Sequence, residues 1–188
     1  MRQSARLFVG IDLDPIWTAG LSAAADELRE LAGDAARFVK PELFHVTVVF
    51  LGEQDAEGQE ETRQAMRAAV AVCKPFQLEL TEIKILGGHE HGALVAGVAD
   101  PSGGLLTLRA YLNEELRAHG VRYDAKPLVP HITLARPKRR RTGPLPIAPL
   151  DLTEAPPLQV NAATLVRSYL LPTGPKYESL MKLRLTGG

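Results

Sequence analysis

The sequence predicts an α+β protein built as two similar lobes facing each other across a cleft. Three observations carry that expectation. Short apolar, strand-like runs alternate irregularly with helical periodicities. Some of the runs are joined directly by hairpin turns. Two of them, one in each half, contain the same pattern, His45-Val46-Thr47 and His131-Ile132-Thr133. With 188 residues the chain can bury one sizeable core, or two small lobes sharing one. The balance of 45% hydrophobic and 23% charged residues excludes global disorder. Acids and bases number 22 each, so any footprint for nucleic acid has to be local.

The elements follow in order. Leu7 to Leu13 reads as a buried strand. Asp14-Pro15 is an N-cap followed by proline at the first helical position. Trp17, Leu21, Ala24, Leu28 and Leu31 then form one helical face, which stops at Gly33. Arg37 to Lys40 is a short extended segment ended by Pro41, and the first His strand runs from Phe44 to Gly52. An acidic stretch, Glu53 to Glu61, leads to a second helix with Met66, Ala69, Val70 and Cys73 on one face, stopped at Pro75. Phe76, Leu78 and Leu80 alternate as a strand, and the parity slips to Ile83 and Ile85, which predicts a bulge near Thr81-Glu82. Gly87 to Gly92 is a hairpin turn returning through Ala93 to Ala99. A third helix starts near Pro101-Ser102, buries Leu105, Leu108, Leu112 and Leu116, and ends at Gly120. After the second His strand, residues 137–157 hold six of the fourteen prolines and the basic run Lys138 to Arg141, a long loop. Leu158 to Leu171 resumes strand character, and alternation from Tyr177 to Leu185 makes a closing strand.

Side chains two apart on a strand point the same way, roughly 6.6–6.8 Å apart. His45 and Thr47 therefore share a face, as do His131 and Thr133. One His-x-Thr is an ordinary strand pattern; two in matching apolar, β-branched contexts make a cup with two proton-transfer groups and two hydroxyls. Such a cup suits a phosphate ester. Cleaving a phosphodiester without a metal takes a base for the attacking oxygen, an acid for the leaving oxygen and donors for the phosphoryl oxygens. Histidine, with an ordinary pKa of about 6.5, fits the first two roles. The entering and leaving oxygens are in line, so the two rings are needed on opposite sides of phosphorus. Thr47 and Thr133 would donate to the non-bridging oxygens. Arg136 could add a fixed positive charge, but by strict alternation it points away from His131 unless the strand bends or ends near Ala135. Phe50 has the opposite parity to His45 and is assigned to the core.

The stretches His45 to Gly52 and Pro130 to Arg136 closely resemble the paired motifs of the 2H phosphoesterase superfamily, in particular its RNA 2′,3′-cyclic phosphodiesterases, also called 2′-5′ RNA ligases. Phe8 to Leu13, Pro41 and the ending Ser168-Tyr169-Leu170 with Gly174 and Tyr177 extend the likeness over nearly the whole chain. The resemblance implies two pseudo-symmetric lobes of antiparallel sheet with outer helices around a central cleft, in a single domain spanning 1–188. It implies hydrolysis of an RNA 2′,3′-cyclic phosphate to a 2′-phosphate with no cofactor and no metal. In it His45 is the proton donor, His131 the proton acceptor, and Thr47, Thr133 and Arg136 bind the phosphate; the residues alone do not assign the two histidine roles. The valines at 46, 48 and 49 depart from a leucine-rich first motif without touching the chemistry.

The partner expected is RNA with 2′,3′-cyclic phosphate ends, tRNA fragments among the candidates. Alternatives are a non-catalytic RNA-binding module and a phosphodiesterase for a small cyclic-phosphate metabolite. Reversal of the same in-line step would join RNA ends through a 2′-5′ linkage. The run from Arg136 to Arg141 could hold an RNA backbone, and Tyr111, Tyr123 and Tyr169 are candidates for stacking on bases. His89-Glu90-His91 is read as a polar hairpin tip rather than a metal site. Cys73, the single cysteine, is expected to be a buried thiol. The N-terminus runs into a strand without a secretory h-region, and no stretch is long enough to cross a bilayer. A cytoplasmic monomer is the expectation.

Overall fold

The computed structural model describes residues 4–87, 92–138, 145, 147, 152, 154–172 and 174–187. Among them the order is β1 (Ala5–Asp12), α1 (Pro15–Ala32), β2 (Ala36–Phe38), β3 (His45–Gln54), α2 (Ala56–Val72), β4 (Phe76–Leu86), β5 (Ala93–Ala99), α3 (Gly104–Ala118), β6 (His131–Pro137), β7 (Leu158–Val160), β8 (Ala162–Leu171) and β9 (Gly174–Arg184). The strands form two antiparallel sheets, one ordered β3-β1-β8-β9 and the other β2-β6-β5-β4-β7. Each histidine motif lies in a different sheet, and β3 and β6 touch. The architecture is the expected α+β pair of sheets.

Local chemistry sets the helix starts. The Asp14 carboxylate accepts from the Trp17 amide at 2.7 Å, and Asp55 accepts from the Gly58 amide at 2.9 Å. Because Asp55 is the cap, α2 begins at Ala56, inside the acidic stretch that was expected to precede it. In α1, Trp17, Leu21, Ala24 and Leu28 are buried, but the apolar stripe turns toward Ala25 and Ala32. Leu31, expected on that stripe, falls past its edge and is exposed. In α3, Leu105, Leu108, Leu112 and Leu116 are fully buried. Cys73 is the residue just after α2; it is buried, and burial pushes its thiol pKa up.

The bulge expected at Thr81-Glu82 is present as a slip in the β4–β5 register between Leu80 and Ile83. The run Leu158 to Leu171, read as one strand, is two. Asn161 separates β7, which pairs with β4, from β8, which pairs with β1 and β9. Unbroken apolar alternation cannot reveal that change of sheet. A contiguous core joins α1, both sheets, α2 and α3, with Trp17, Val46, Leu94, Leu108, Ile132 and Leu165 among its buried members. Among the described residues no helix is long and apolar enough to cross a membrane.

Candidate active site

A matched irregularity shapes both histidine strands. In the β1–β3 ladder, Val9 opposes Val49 and Gly10 opposes Thr47, so Val48 is the extra residue. In the β5–β6 ladder, Leu94 opposes Ala135 and Val95 opposes Thr133, so Leu134 is the extra residue. Burial follows the same course in both strands. The histidine and threonine are partly buried, Val46 or Ile132 is buried between them, a buried pair follows, and then comes an exposed residue. A bulge puts two residues opposite one and reverses the parity beyond it. It therefore returns Arg136 to the face of His131 and Thr133, the bend on which its role depended. The same device turns Phe50 outward to 47% exposure, which corrects its assignment to the core.

The bulges are held by different donors. The Leu134 carbonyl accepts from the Val39 amide at 2.8 Å. The Val48 carbonyl accepts from the Arg109 guanidinium, which also donates to the carbonyls of Asp124 (3.1 Å) and Lys126. One side chain on α3 thereby ties the first motif to the segment leading toward the second. The Asp124 amide adds a 2.8 Å bond to the Phe50 carbonyl.

Both imidazoles are oriented in the same way. Nδ1 of His45 lies 2.8 Å from the Leu43 carbonyl, and Nδ1 of His131 lies 2.7 Å from the Val129 carbonyl. A carbonyl only accepts, so each Nδ1 carries a hydrogen, and Nε2 is left as the exchanging nitrogen. In neutral His45 that Nε2 accepts from the Thr47 hydroxyl at 3.0 Å.

The surroundings of His45 are aromatic. Phe8 stacks on its ring at 4.7 Å between centroids, and Tyr177 meets it edge-on at 5.4 Å. Phe8 also contacts Tyr177 at 5.1 Å and Phe50 at 6.2 Å. Gly10 makes this possible: a Cβ there would sit 3.1 Å from Phe8 Cε2, 3.3 Å from the Val46 carbonyl oxygen and 3.5 Å from His45 Cδ2. Burial among these groups holds the His45 pKa below the ordinary histidine value, and the charges of His131 and Arg136 act in the same direction. The Leu43 carbonyl and the Asp12 carboxylate oppose them. Asp12 stands opposite His45 in the ladder and is itself engaged by Thr164 and Lys182, each at 2.8 Å. Burial also raises the Tyr177 pKa, against the nearby charges of Arg136 and Arg6. The strands β3 and β6 touch, and the charges of His131 and Arg136 act on His45, so groups of the two sheets share one electrostatic environment.

Sequence reading missed Phe50 at this site, and reached Phe8, Asp12 and Tyr177 only through resemblance. The usable signal was the apolar pair Val48-Val49, matched by Leu134-Ala135 at the same offset from each histidine. Other candidates fall elsewhere. Tyr111 is exposed on α3, Tyr123 accepts from Arg117 at 3.1 Å, and Lys138 pairs with Asp34 at 3.0 Å. Arg139 to Arg141 and His89-Glu90-His91 lie outside the described residues.

The model of the 2′-5′ RNA ligase superfamily matches residues 14–169. The chain belongs to this family. It is 32% identical over 189 residues to the RNA 2′,3′-cyclic phosphodiesterase of Thermus thermophilus, covering 97% of this chain and 91% of that one. It is 27% identical over 184 residues to the enzyme of the same name from Methanothermobacter thermautotrophicus, covering 96% and 98%. Among solved structures, the Thermus thermophilus protein TT0787 superposes with a TM-score of 0.82 at 28% identity, over 97% of this chain and 98% of that one. LigT of E. coli in apo form gives 0.80 at 24% identity, over 98% and 99%, a likeness of fold. The two-sheet frame of this phosphoesterase family is therefore the frame that carries His45 and His131.

Proposed function

We propose that this chain hydrolyses RNA 2′,3′-cyclic phosphodiester ends to 2′-phosphomonoesters by paired histidine acid–base catalysis. The observation that carries the reading is the matched pair of imidazoles, each with Nδ1 donating to the carbonyl two residues before it and Nε2 left to exchange a proton. The names of the relatives support the substrate class. Neutral His131 takes a proton from water through Nε2 as the water oxygen bonds to phosphorus. The bond from phosphorus to O3′ breaks, and protonated His45 delivers its Nε2 hydrogen to that oxygen. Thr47, Thr133 and Arg136 hold the non-bridging oxygens, and the exposed ring of Phe50 offers a face to the terminal base. With an RNA 5′-hydroxyl in place of water as the attacking group, the 5′ oxygen bonds to phosphorus as O3′ departs, and the product is a 2′-5′ linkage.

Burial works against a charged His45 in the free protein. The bound phosphodiester supplies the missing counter-charge, so the donor is loaded on binding. The test is product analysis on an oligoribonucleotide ending in a 2′,3′-cyclic phosphate, with and without a chelator, for wild type, His45→Ala and His131→Ala. The expected product is a 2′-phosphate, formed equally with chelator, with a loss of about 10²–10⁴ in rate for either variant. RNA that binds wild type but is never turned over would sink the catalytic reading in favour of a binding module.

A further inference from the structure

On the histidine face of the second sheet, the β4–β5–β6 register sets side chains in rows. Gly97 opposes His131, and Val95 opposes Thr133 on one side and Lys84 on the other. Residues directly opposite in a ladder point to the same side of the sheet, so Lys84 shares the face of both motif residues. The intervening row, Ile83, Ala96 and Ile132, is buried in the core and marks the other face. Thr81 lies in the bulge between Leu80 and Ile83. Gly97 shows where its hydroxyl points: a Cβ there would clash with Thr81 Oγ1 and would sit 3.4 Å from Lys84 Nζ. The hydroxyl and the ammonium therefore meet over Gly97, one strand from His131, where opposed Cβ positions are about 4.5–5.5 Å apart.

The corresponding place in the first sheet is filled differently. There the residue opposite the histidine is Asp12, whose Oδ2 accepts from Thr164 Oγ1 and pairs with Lys182 Nζ, each at 2.8 Å. Asp12 and Gly97 are the positions opposed to the two histidines, and each is attended by one threonine hydroxyl and one lysine ammonium. In the first sheet the chain itself supplies the anion that those donors hold. In the second, glycine brings none. Glu82 meets Lys84 only at 3.5 Å, with its side chain 72% exposed. An exposed pair of that kind contributes little and yields to a better-placed anion.

We propose that Thr81 and Lys84 are substrate-binding residues that take a phosphate oxygen of the substrate beside His131. The proposal rests on the phosphodiester substrate argued above, and it adds two donors to Thr47, Thr133 and Arg136. Gly97 is required there because any Cβ would drive the Thr81 hydroxyl from its position. The oxygen belongs to the terminal phosphate or to the phosphate one nucleotide upstream. Both present the same anionic acceptor to a hydroxyl and an ammonium, and ligands of different length tell them apart.

The test is equilibrium binding of three ligands: a nucleoside 2′-monophosphate, the same nucleoside without phosphate, and a short oligoribonucleotide ending in a 2′-phosphate. Lys84→Met should weaken phosphate binding about five- to twentyfold, and Thr81→Val, which keeps the β-branched shape, about two- to fivefold. Lys84→Arg, which keeps the charge, should restore most of the loss. Affinity for the bare nucleoside should not move, a selectivity that a merely structural role would not produce. Glu82→Gln removes the competing carboxylate and should tighten phosphate binding; weaker binding would count against the proposal. Loss with both phosphorylated ligands assigns the donors to the terminal phosphate, and loss with the oligonucleotide alone assigns them to the upstream one. Unchanged affinity for both, or an equal loss for the bare nucleoside, overturns the proposal. Binding is read without turnover, so a wild type that shows these losses on substitution yet never opens a cyclic phosphate upholds the site and overturns the catalytic reading alone.

Discussion

Phe50 and Arg136 occupy the same place in two different sheets. Each follows its histidine by five residues, and each is turned onto the histidine's face by an extra residue at the third position, Val48 in β3 and Leu134 in β6. The repeated backbone carries unlike chemistry: a flat apolar ring on one side and a fixed cation on the other. A terminal nucleotide also has two unlike parts, a base and a phosphate. On the function proposed above, the pairing would divide recognition between the lobes.

Replacing Phe50 by Ala should weaken ground-state binding of the terminal nucleotide by about 1–3 kcal/mol, the range for losing one base-stacking partner. The ring is exposed, so the melting temperature should move little. Steady-state kinetics should show the loss mainly in KM, with Phe50→Trp restoring it. An unchanged KM in Phe50→Ala would remove the ring from recognition.

Arg136→Gln should have two separable effects. Loss of a charged donor to the phosphate should lower kcat/KM by an amount equivalent to about 1.5–3 kcal/mol. The second effect has a definite sign. The Arg136 charge holds the His45 pKa down, so its removal lets that pKa rise. A general acid works only while protonated, so the decline of activity with rising pH that belongs to His45 should move to higher pH. Titration of the His45 ring by NMR should show the same upward shift, and a downward shift would contradict the electrostatic coupling between the sheets.

Gly10→Ala tests the aromatic packing. The new Cβ would sit 3.1 Å from Phe8 and 3.3 Å from the Val46 carbonyl, so the stacked rings have to give by a few tenths of an ångström. The expected cost in stability is about 1–3 kcal/mol. The rate should suffer more than stability alone accounts for, because displaced catalytic groups lose alignment with the reacting atoms. Wild-type kcat in a folded Gly10→Ala protein would show that the Phe8–His45 stack does not position the ring.

Arg109→Met keeps the apolar stem and removes three donors. The carbonyls of Val48, Asp124 and Lys126 then lose their partner, and each one that stays dry costs about 1–3 kcal/mol. Chemical denaturation should report destabilisation of that order. Activity should fall as well, since the same guanidinium holds the bulge that aims Phe50. A variant with intact stability would mean that water replaces all three bonds.

The histidine strands were legible because a repeated tripeptide inside β-branched runs fixes both strand and facing. The α1 start was legible from Asp14-Pro15, and the bulge at Thr81-Glu82 from a slip in apolar parity. The matched bulges were not read, since Val48-Val49 and Leu134-Ala135 also look like strand residues covered on both faces. That ambiguity put Phe50 in the core and left Arg136 conditional. Leu31 was misplaced because helical spacing alone does not say where the inward stripe is centred. The break at Asn161 leaves no trace in the apolar pattern; only pairing partners distant in sequence decide it.

The single residue between β7 and β8 has a mechanical consequence. One link of chain spans about 3.3–3.6 Å, so at Asn161 the two sheets cannot draw apart by more than that reach. Any opening between the lobes has to pivot about this tether.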